Sequence, residues 1–572
     1  MINYLPKKRQ LGSVGLPLLI MASLLLLVGG AFLLYYLKGI KRINIEDINA
    51  AEKIIGLDFT IKEKKLLRQN LEQNLSAYRT LRNNSLDKQA SPAFQFNPIL
   101  PKQKFDEETK PVRFDLEENS QMPENIEELA FAPISRLAPL IRNGAITSTQ
   151  LTKLSLKRLK EYGQKLRCVI TLTEETALEQ ARLADEEIAS GNYRGPLHGI
   201  PYGAKDLLST KGIKTTWGAV PYKEQLIDED ATVVKRLQEA GAVLVAKLSL
   251  GALAMGDVWY GGRTRNPWNP EQGSSGSSAG PAAATAAGLV AFAIGSETWG
   301  SIISPSTRCG VTGLRPTFGR VSRYGSMALS WSMDKIGPIC RSVEDSAIVF
   351  HAIQGPDGKD PTVIDLPFNW DSNLDFSSIR VGYLKKEFQK DYKNRENDQE
   401  VLKVLQSLGI ELIPVELPSF PVDSLSFILS AEAAAAFDDL TRNNLDDLLV
   451  RQSRGSWPNI FRQARFIPAV EYIQANRYRR ILMDKMFRLM EKVDVYVAPS
   501  FGGDNLLLTN LTGHPAVVVP NGFNEEGSPT SITFIGNLYG EEKMLKVAKA
   551  YQEATSFHLQ YTTINKTLAA IE

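Results

Sequence analysis

Two serine-rich loops and one lysine carry the strongest chemical signal in this chain. Residues 273–310 read GSSGSSAGPAAATAAGLVAFAIGSETWGSIISPSTRCG, and Lys205 stands upstream in the run HGIPYGAKDLLSTKG. A serine hydroxyl is a weak nucleophile until a neighbouring base takes its proton. A lysine can be that base only when burial keeps its amine uncharged, which means lowering a pKa of about 10.4 by roughly three units, at about 4 kcal/mol. Taken singly, each residue has a plainer reading: a serine in a glycine-rich loop is usually a turn former, and a lysine before an aspartate is ordinarily a solvated charge. The three together, in order over nearly a hundred residues, outweigh those plainer readings.

These residues need rigid elements behind them. Glycine and serine at this density do not make a good element interior, because glycine loses backbone entropy and serine competes for backbone hydrogen bonds. Between the loops, Ala282 to Ala287 has high helix propensity and side chains small enough for close backbone approach. Each loop is therefore expected to flank a buried helix.

The arrangement resembles the amidase signature family, whose members cleave amide bonds with a Ser-cis-Ser-Lys triad and no histidine. The resemblance covers about residues 126–560. Reading without gaps from Asn266-Pro267-Trp268, the family's Gly-Ser-Ser-Gly-Gly-Ser loop falls on Gly276-Ser277-Ser278-Ala279-Gly280-Pro281, and its Asp-Thr-Gly-Gly-Ser-Ile loop on Glu297-Thr298-Trp299-Gly300-Ser301-Ile302. Its Gly-x-Pro-x-x-x-Lys-Asp motif matches Gly199 to Asp206 at every fixed position. The resemblance implies Ser301 as nucleophile, Ser277 as the bridging cis-serine, Lys205 as base, and the backbone N–H groups of Thr298, Trp299, Gly300 and Ser301 as the oxyanion site. Ser274 copies the local motif but would demand three extra residues before Gly288, and ranks below Ser277. Substrate contacts are expected from Met255, Gly256, Ser278 and Asp504. The mechanism it implies needs no cofactor or metal. Departures stand at Trp299, which replaces the first glycine of the Gly-Gly-Ser turn and must hold a backbone conformation a bulky residue tolerates, at Ser275 and Ala279, which replace glycines, and at Ile303, where many relatives carry arginine.

A rival serine chemistry starts from Gly276-Ser277-Ser278-Ala279-Gly280, which fits the Gly-x-Ser-x-Gly nucleophile elbow with Ser278 as nucleophile. That elbow needs a strand directly before the serine, whereas Asn266 to Gly273 is turn-rich. No Gly-x-x-x-x-Gly-Lys-Ser/Thr loop is present for phosphates. The histidines at 198, 351, 514 and 558 and the cysteines at 168, 309 and 340 are scattered, with no metal-ligand spacing. His198 and His514 lie near motif segments and are read as structural hydrogen-bonders. With 66 basic and 64 acidic residues the net charge is +2, so nothing attracts a polyanion and no nucleic-acid partner is expected.

The second signal lies at the N-terminus. After a tail, residues 1–15, an apolar run covers Leu16–Leu37; its 22 residues would make a helix of about 33 Å, enough for a hydrocarbon layer of roughly 30 Å. Tyr35 and Tyr36 sit where an interfacial belt would be, and the run ends in Tyr-Tyr-Leu-Lys rather than a small-residue cleavage site. A single-pass membrane anchor is expected. Lys7, Lys8 and Arg9 before it balance Lys38, Lys41 and Arg42 after it, and the amino terminus tips the count toward an extracytoplasmic catalytic domain, the cytoplasmic orientation being the alternative. Residues 38–82 read as a helical appendage: a helix from Ile45 to Gly56, then a capping box at Thr60-Ile61-Lys62-Glu63 opening a second one. Its apolar face, Leu67, Leu71, Leu75 and Tyr78, needs the enzyme or a second copy to cover it, and a homodimer is one way of doing so. From 83 to 125, prolines and mixed charge replace periodicity, which reads as an extended linker.

Residues 126–560 alternate helical and strand signals, as in an α/β domain, followed by a tail at 561–572. Thr232 to Ala240 reads as helix; Val243 to Ala246, Val495 to Ala498 and Ala516 to Val519 read as buried strands. The resemblance implies a large, mostly parallel mixed sheet covered by helices, with Glu432 to Lys492 forming part of a substrate funnel. Gly355 to Pro367 reads as a loop. Small, amino-acid or peptide amides are the expected substrates. The alternatives are the glutamine amidase subunit of a tRNA-dependent amidotransferase, a fatty acid amide hydrolase, and an inactive membrane scaffold.

Overall fold

The computed structural model describes residues 43–84, 87, 89–101, 103–373 and 375–562, and the chain divides into two units at residue 86. The expected Leu16–Leu37 anchor lies outside the described residues. Among those described, no helix is long and apolar enough to cross a membrane.

The first unit is a helix pair, α1 (Ile45–Ile55) and α2 (Ile61–Arg82). Both open on capping boxes. Asn44 accepts from the Asp47 N–H and Thr60 from the Glu63 N–H, each with the reciprocal bond, so two otherwise unpaired amides are satisfied at each start. Gly56 ends α1 at φ +70°, a left-handed position that costs glycine nothing. Lys64 ties the pair, 2.7 Å from Glu52 and 2.8 Å from Asn49.

The second unit is built on one sheet. Its strands are β1 (Val169–Leu172), β2 (Pro201–Lys205), β3 (Val243–Leu248), β6 (Phe292–Glu297), β7 (Thr312–Arg315), β8 (Lys335–Cys340), β9 (Val381–Leu384), β10 (Leu412–Val415), β11 (Val495–Pro499), β12 (Ala516–Phe523) and β13 (Pro529–Gly536). A separate small hairpin pairs β4 (Val258–Trp259) with β5 (Gly262–Arg263). The spatial order is β1-β3-β2-β6-β8-β7-β12-β13-β11-β9-β10. The sheet is mixed, as expected, but not mostly parallel. Four pairings are parallel (β2 with β3 and β6, β9 with β10 and β11) and six antiparallel. Within the antiparallel centre, β7 and β8 are joined without an intervening helix, as are β12 and β13, which antiparallel pairing allows.

Both faces are covered, and the period-two alternation of the strands shows it. Tyr202, Ala204, Leu244, Phe292 and Ile294 enter one core cluster, while Val243, Val245 and Ala293 enter another with the alanines of α3 (Ala279–Ala286). Farther along, Val495, Val497, Val517 and Val519 join the first cluster, and Tyr496, Ala498 and Val518 a third. Continuous apolar runs are what a strand buried on two sides requires, each fully buried Val or Leu contributing about 1.5–3 kcal/mol. The helix read at Thr232 to Ala240 spans Thr232–Glu239, and the stretch from Glu432 to Lys492 carries helices Trp457–Ala464 and Ala469–Met490.

Candidate active site

Lys205 is the last residue of β2, and alternation turns it away from the cluster holding Tyr202 and Ala204, toward the face covered by α3. The neighbouring parallel strand β6 ends at Ser296 and Glu297. The carboxyl ends of two adjacent strands thus present their last residues to the loop that opens α3, the position where open α/β sheets generally place ligands.

Lys205 Nζ, fully buried, donates to Ser277 Oγ at 2.8 Å, Ser278 Oγ at 3.0 Å, Ser296 Oγ at 2.9 Å and the Ser296 carbonyl at 3.3 Å. All of these partners are neutral. Burial therefore dominates, and it lowers the amine from 10.5 to about 7, against the opposing pull of Asp334 and Glu297. The peptide bond between Gly276 and Ser277 is cis. Gly276 must be glycine because a Cβ there would stand 1.9 Å from the Gly256 carbonyl oxygen.

Ser278 is fully enclosed. Its hydroxyl donates to the Ser296 carbonyl at 3.1 Å and accepts from the Ser296 N–H at 3.2 Å, and its own N–H donates to the Ser301 carbonyl at 3.1 Å. It ties the two serine loops together. The segment before it carries no strand of the sheet, so the nucleophile-elbow geometry is absent. Ser274 is turned elsewhere, its hydroxyl donating to the Ser275 carbonyl at 3.0 Å.

Ser301 precedes α4 (Ile303–Cys309) at the end of the turn that starts at Thr298. Glu297 shapes that turn. Its carboxylate accepts from the Ile302 and Ile303 N–H groups at 2.8 and 3.0 Å, from Arg315 at 2.8 Å and from Asn510 at 2.8 Å. Burial alone would push this acid up, but the Arg315 guanidinium and the Ile303 and Asn510 amides hold it down at about 2. With Ile302 and Ile303 tied to Glu297, the N–H groups of Trp299, Gly300 and Ser301 take part in no hydrogen bond among the described residues. The turn needs its left-handed position at Gly300, φ +84°, and not at residue 299, so a tryptophan fits there without strain. The Trp299 side chain is 41% exposed rather than enclosed. Thr298 donates to Asp334 at 2.6 Å, and Asp334 also accepts from the Leu329 and Ser330 N–H groups at 2.8 and 2.9 Å.

Among the expected substrate contacts, Gly256 lies against Gly276 and Met255 precedes it, so both border the first serine loop. Asp504 stands apart: it is exposed at the start of the helix Asn505–Thr512, among Asp423, Glu387 and Lys390, although Leu506 two residues on packs against Gly300. His198 pairs with Glu187 at 3.1 Å and His514 with Thr512 at 2.8 Å, both away from Lys205. Ser296, Asp334 and Arg315 carry no local motif; only their positions in the folded chain bring them to the site. No cluster of metal-ligating side chains occurs among the described residues.

A mixed α/β sheet that delivers a desolvated lysine and two serine loops at adjacent strand ends is the scaffold of an amide-cleaving enzyme. The Amidase family model matches residues 150–507, and the chain belongs to that family. A glutamyl-tRNA(Gln) amidotransferase subunit from Prochlorococcus marinus (strain MIT 9211) is 35% identical over 466 residues, covering 73% of this chain and 96% of that protein. Among solved structures, the peptide amidase of Stenotrophomonas maltophilia superposes with a TM-score of 0.68 at 30% identity, covering 75% of this chain and 98% of its own. The corresponding amidotransferase subunit from Thermotoga maritima gives a TM-score of 0.63 at 27% identity, covering 76% and 96%. The protein is an amidase, an enzyme acting on amide C–N bonds.

Proposed function

We propose that Ser301 is the nucleophile of a serine acyl-enzyme, with Ser277 and Lys205 as its proton relay. The observation that carries this reading is a fully buried lysine amine, 2.8 Å from Ser277 Oγ, whose hydrogen-bond partners are all neutral. A neutral amine has two N–H donors and one lone pair. The donors satisfy Ser278 and Ser296, which leaves the lone pair for the Ser277 proton. Ser277 in turn takes the proton of Ser301 as its oxygen attacks the amide carbonyl. The oxyanion goes to the unused N–H groups of Trp299, Gly300 and Ser301, held in place from behind by Glu297. Protonation of the leaving amine along the same relay and attack by water close the cycle.

Labelling with a small fluorophosphonate tests the assignment. Ser301→Ala abolishes labelling, whereas Ser278→Ala retains it at a reduced rate; labelling lost only in the Ser278 variant refutes the assignment.

For the substrate, a primary amide that releases ammonia is the proposed class. The curated relatives favour a specific form of it, glutamine as the amide donor for a tRNA-dependent transfer carried out with partner subunits, because they match over nearly their whole length. The solved peptide amidase favours peptide C-terminal amides with similar coverage. Ammonia release from glutamine, amino-acid amides and a dipeptide amide, measured on the chain alone, separates the two. Turnover of the peptide amide without glutaminase activity supports the second form and counts against the first.

A further inference from the structure

Beside the turn that bears Ser301 lies a pocket whose wall comes partly from outside the family match. It reaches Ser296 and Thr298, the residues either side of Glu297, and its lining mixes apolar Leu207, Met327, Leu329 and Ile336 with charged Arg323, Asp334 and Lys335. Its rim includes Gln89 and Ser91, upstream of residue 150, where the family match begins. About three-quarters of this chain accounts for 96–99% of the length of its curated relatives, so about a quarter of it has no counterpart in them.

The segment carrying these two residues is fastened at both ends. At the rim, Gln89 Oε1 accepts from the Gly325 N–H at 3.3 Å. Farther on, the Phe96 ring meets Phe318 edge-on at 5.0 Å, with the buried Arg479 guanidinium 3.6 Å above it, and Leu100 is only 5% exposed. Between the fastenings, Ala93, Phe94 and Gln95 lie on the surface. The firm anchor is thus at Phe96, while among the described residues one long hydrogen bond holds the rim. With the segment in place the cavity measures about 70 Å³, against roughly 300–1,000 Å³ for sites that enclose a whole drug-sized ligand.

We propose that residues 89–91 are an added wall of the substrate pocket that sets the size of amide this enzyme accepts, restricting the group beside Ser296 and Thr298 to a small one. The inference rests on the reading of Ser301 as nucleophile only for where the reacting carbonyl lies. A loop can set selectivity without touching the chemistry, because the energy of a pocket is spent on the difference between substrates. Leu207, Met327, Leu329 and Ile336 offer contact to a short apolar group, and Gln89 and Ser91 border the space it would fill.

The test compares two amide series, one lengthened on the acyl side (acetamide, butyramide, 3-phenylpropionamide) and one on the amine side (N-methyl-, N-butyl- and N-benzylacetamide). Removing the two side chains together (Gln89→Gly with Ser91→Gly) raises the large-to-small ratio of kcat/KM at least fivefold in one series. Filling the wall (Ser91→Trp) lowers it in the same series, and Phe94→Ala, on the outer surface, leaves it unchanged. The same ratios read as Kd in the Ser301→Ala background give the binding selectivity without turnover, so an error about the nucleophile leaves this readout standing. Ratios unmoved within twofold by both the glycine pair and Ser91→Trp overturn the proposal, as does a shift of equal size in Phe94→Ala.

Discussion

With Lys205 as the proposed base, the pH dependence of catalysis follows from one environment, the enclosure of that amine, and its size can be worked out. With the amine at about 7 instead of 10.5, half of the enzyme carries the neutral base at pH 7, roughly 1,600 times the fraction an ordinary lysine would supply. Between pH 8 and pH 6 the neutral fraction falls about tenfold, so kcat/KM for a neutral amide should fall along an acid limb centred near pH 7. Stability moves with the same proton. The folded state holds the amine at about 7 while the unfolded chain holds it near 10.5, so the unfolded state binds the extra proton between those values. Below pH 7 the charged amine costs the folded state on the order of 5 kcal/mol, less what its hydrogen bonds return, and the cost fades as pH rises toward 10.5. Lys205→Met, inactive, should therefore be the more stable protein at pH 6, and its advantage should shrink by about 1.4 kcal/mol for each pH unit above 7. Denaturant midpoints at pH 6, 8 and 9.5 measure that slope. A kcat/KM flat from pH 6 to 8, together with a variant advantage that does not change with pH, refutes a desolvated base.

The residues around the lysine give two further expectations. Asp334 pulls the Lys205 amine upward, so Asp334→Asn should move the acid limb of kcat/KM below its parent position; an asparagine can turn its oxygen to the Leu329 and Ser330 amides and its NH₂ to Thr298, and a limb that stays or rises contradicts the charge argument. Glu297→Gln leaves Arg315 buried without its carboxylate, 2.8 Å away in the parent, which should cost about 3–5 kcal/mol of stability. It should also slow fluorophosphonate labelling, because the Ile302 and Ile303 amides lose a charged acceptor; labelling at the parental rate in a folded variant would show that the turn does not depend on Glu297.

What the sequence made legible is what short range decides. The helix after Asn44, the capping box at Thr60, the α3 alanines and the buried runs at Val243 and Val517 each fold as their own neighbours dictate. The pairing directions were out of reach, since whether β8 runs with or against β6 depends on residues 38–46 positions apart. The same distance hid the supporting half of the site. Glu297 meets Arg315 across 18 residues and Asn510 across 213, and no spacing rule connects them. Proline content suggests an extended segment after residue 83, whereas its docking rests on Phe96 meeting Phe318 and on Arg113 pairing with Asp371. Composition carries no signal for such contacts.

The adjacent pair Lys205-Asp206 shows why local reading misjudges the base. Side by side in sequence, the two look like charges that would neutralise each other or face solvent. In the strand that ends there, successive side chains leave by opposite faces, so the pair cannot meet. Asp206 instead lies 2.9 Å from Lys247 and accepts from the N–H and hydroxyl of Thr216 at 2.8 and 2.6 Å, all of it buried. Two buried lysines and one carboxylate therefore sort into one ion pair and one amine that contacts only hydroxyls and a carbonyl. Had the carboxylate gone to Lys205, it would have stabilised the ammonium and removed the base. By engaging Asp206 elsewhere, Lys247 leaves the Lys205 amine without an anionic hydrogen-bond partner. Replacing Lys247 with an apolar residue would leave Asp206 as an uncompensated buried charge, which costs stability while leaving the hydrogen bonds of Lys205 in place.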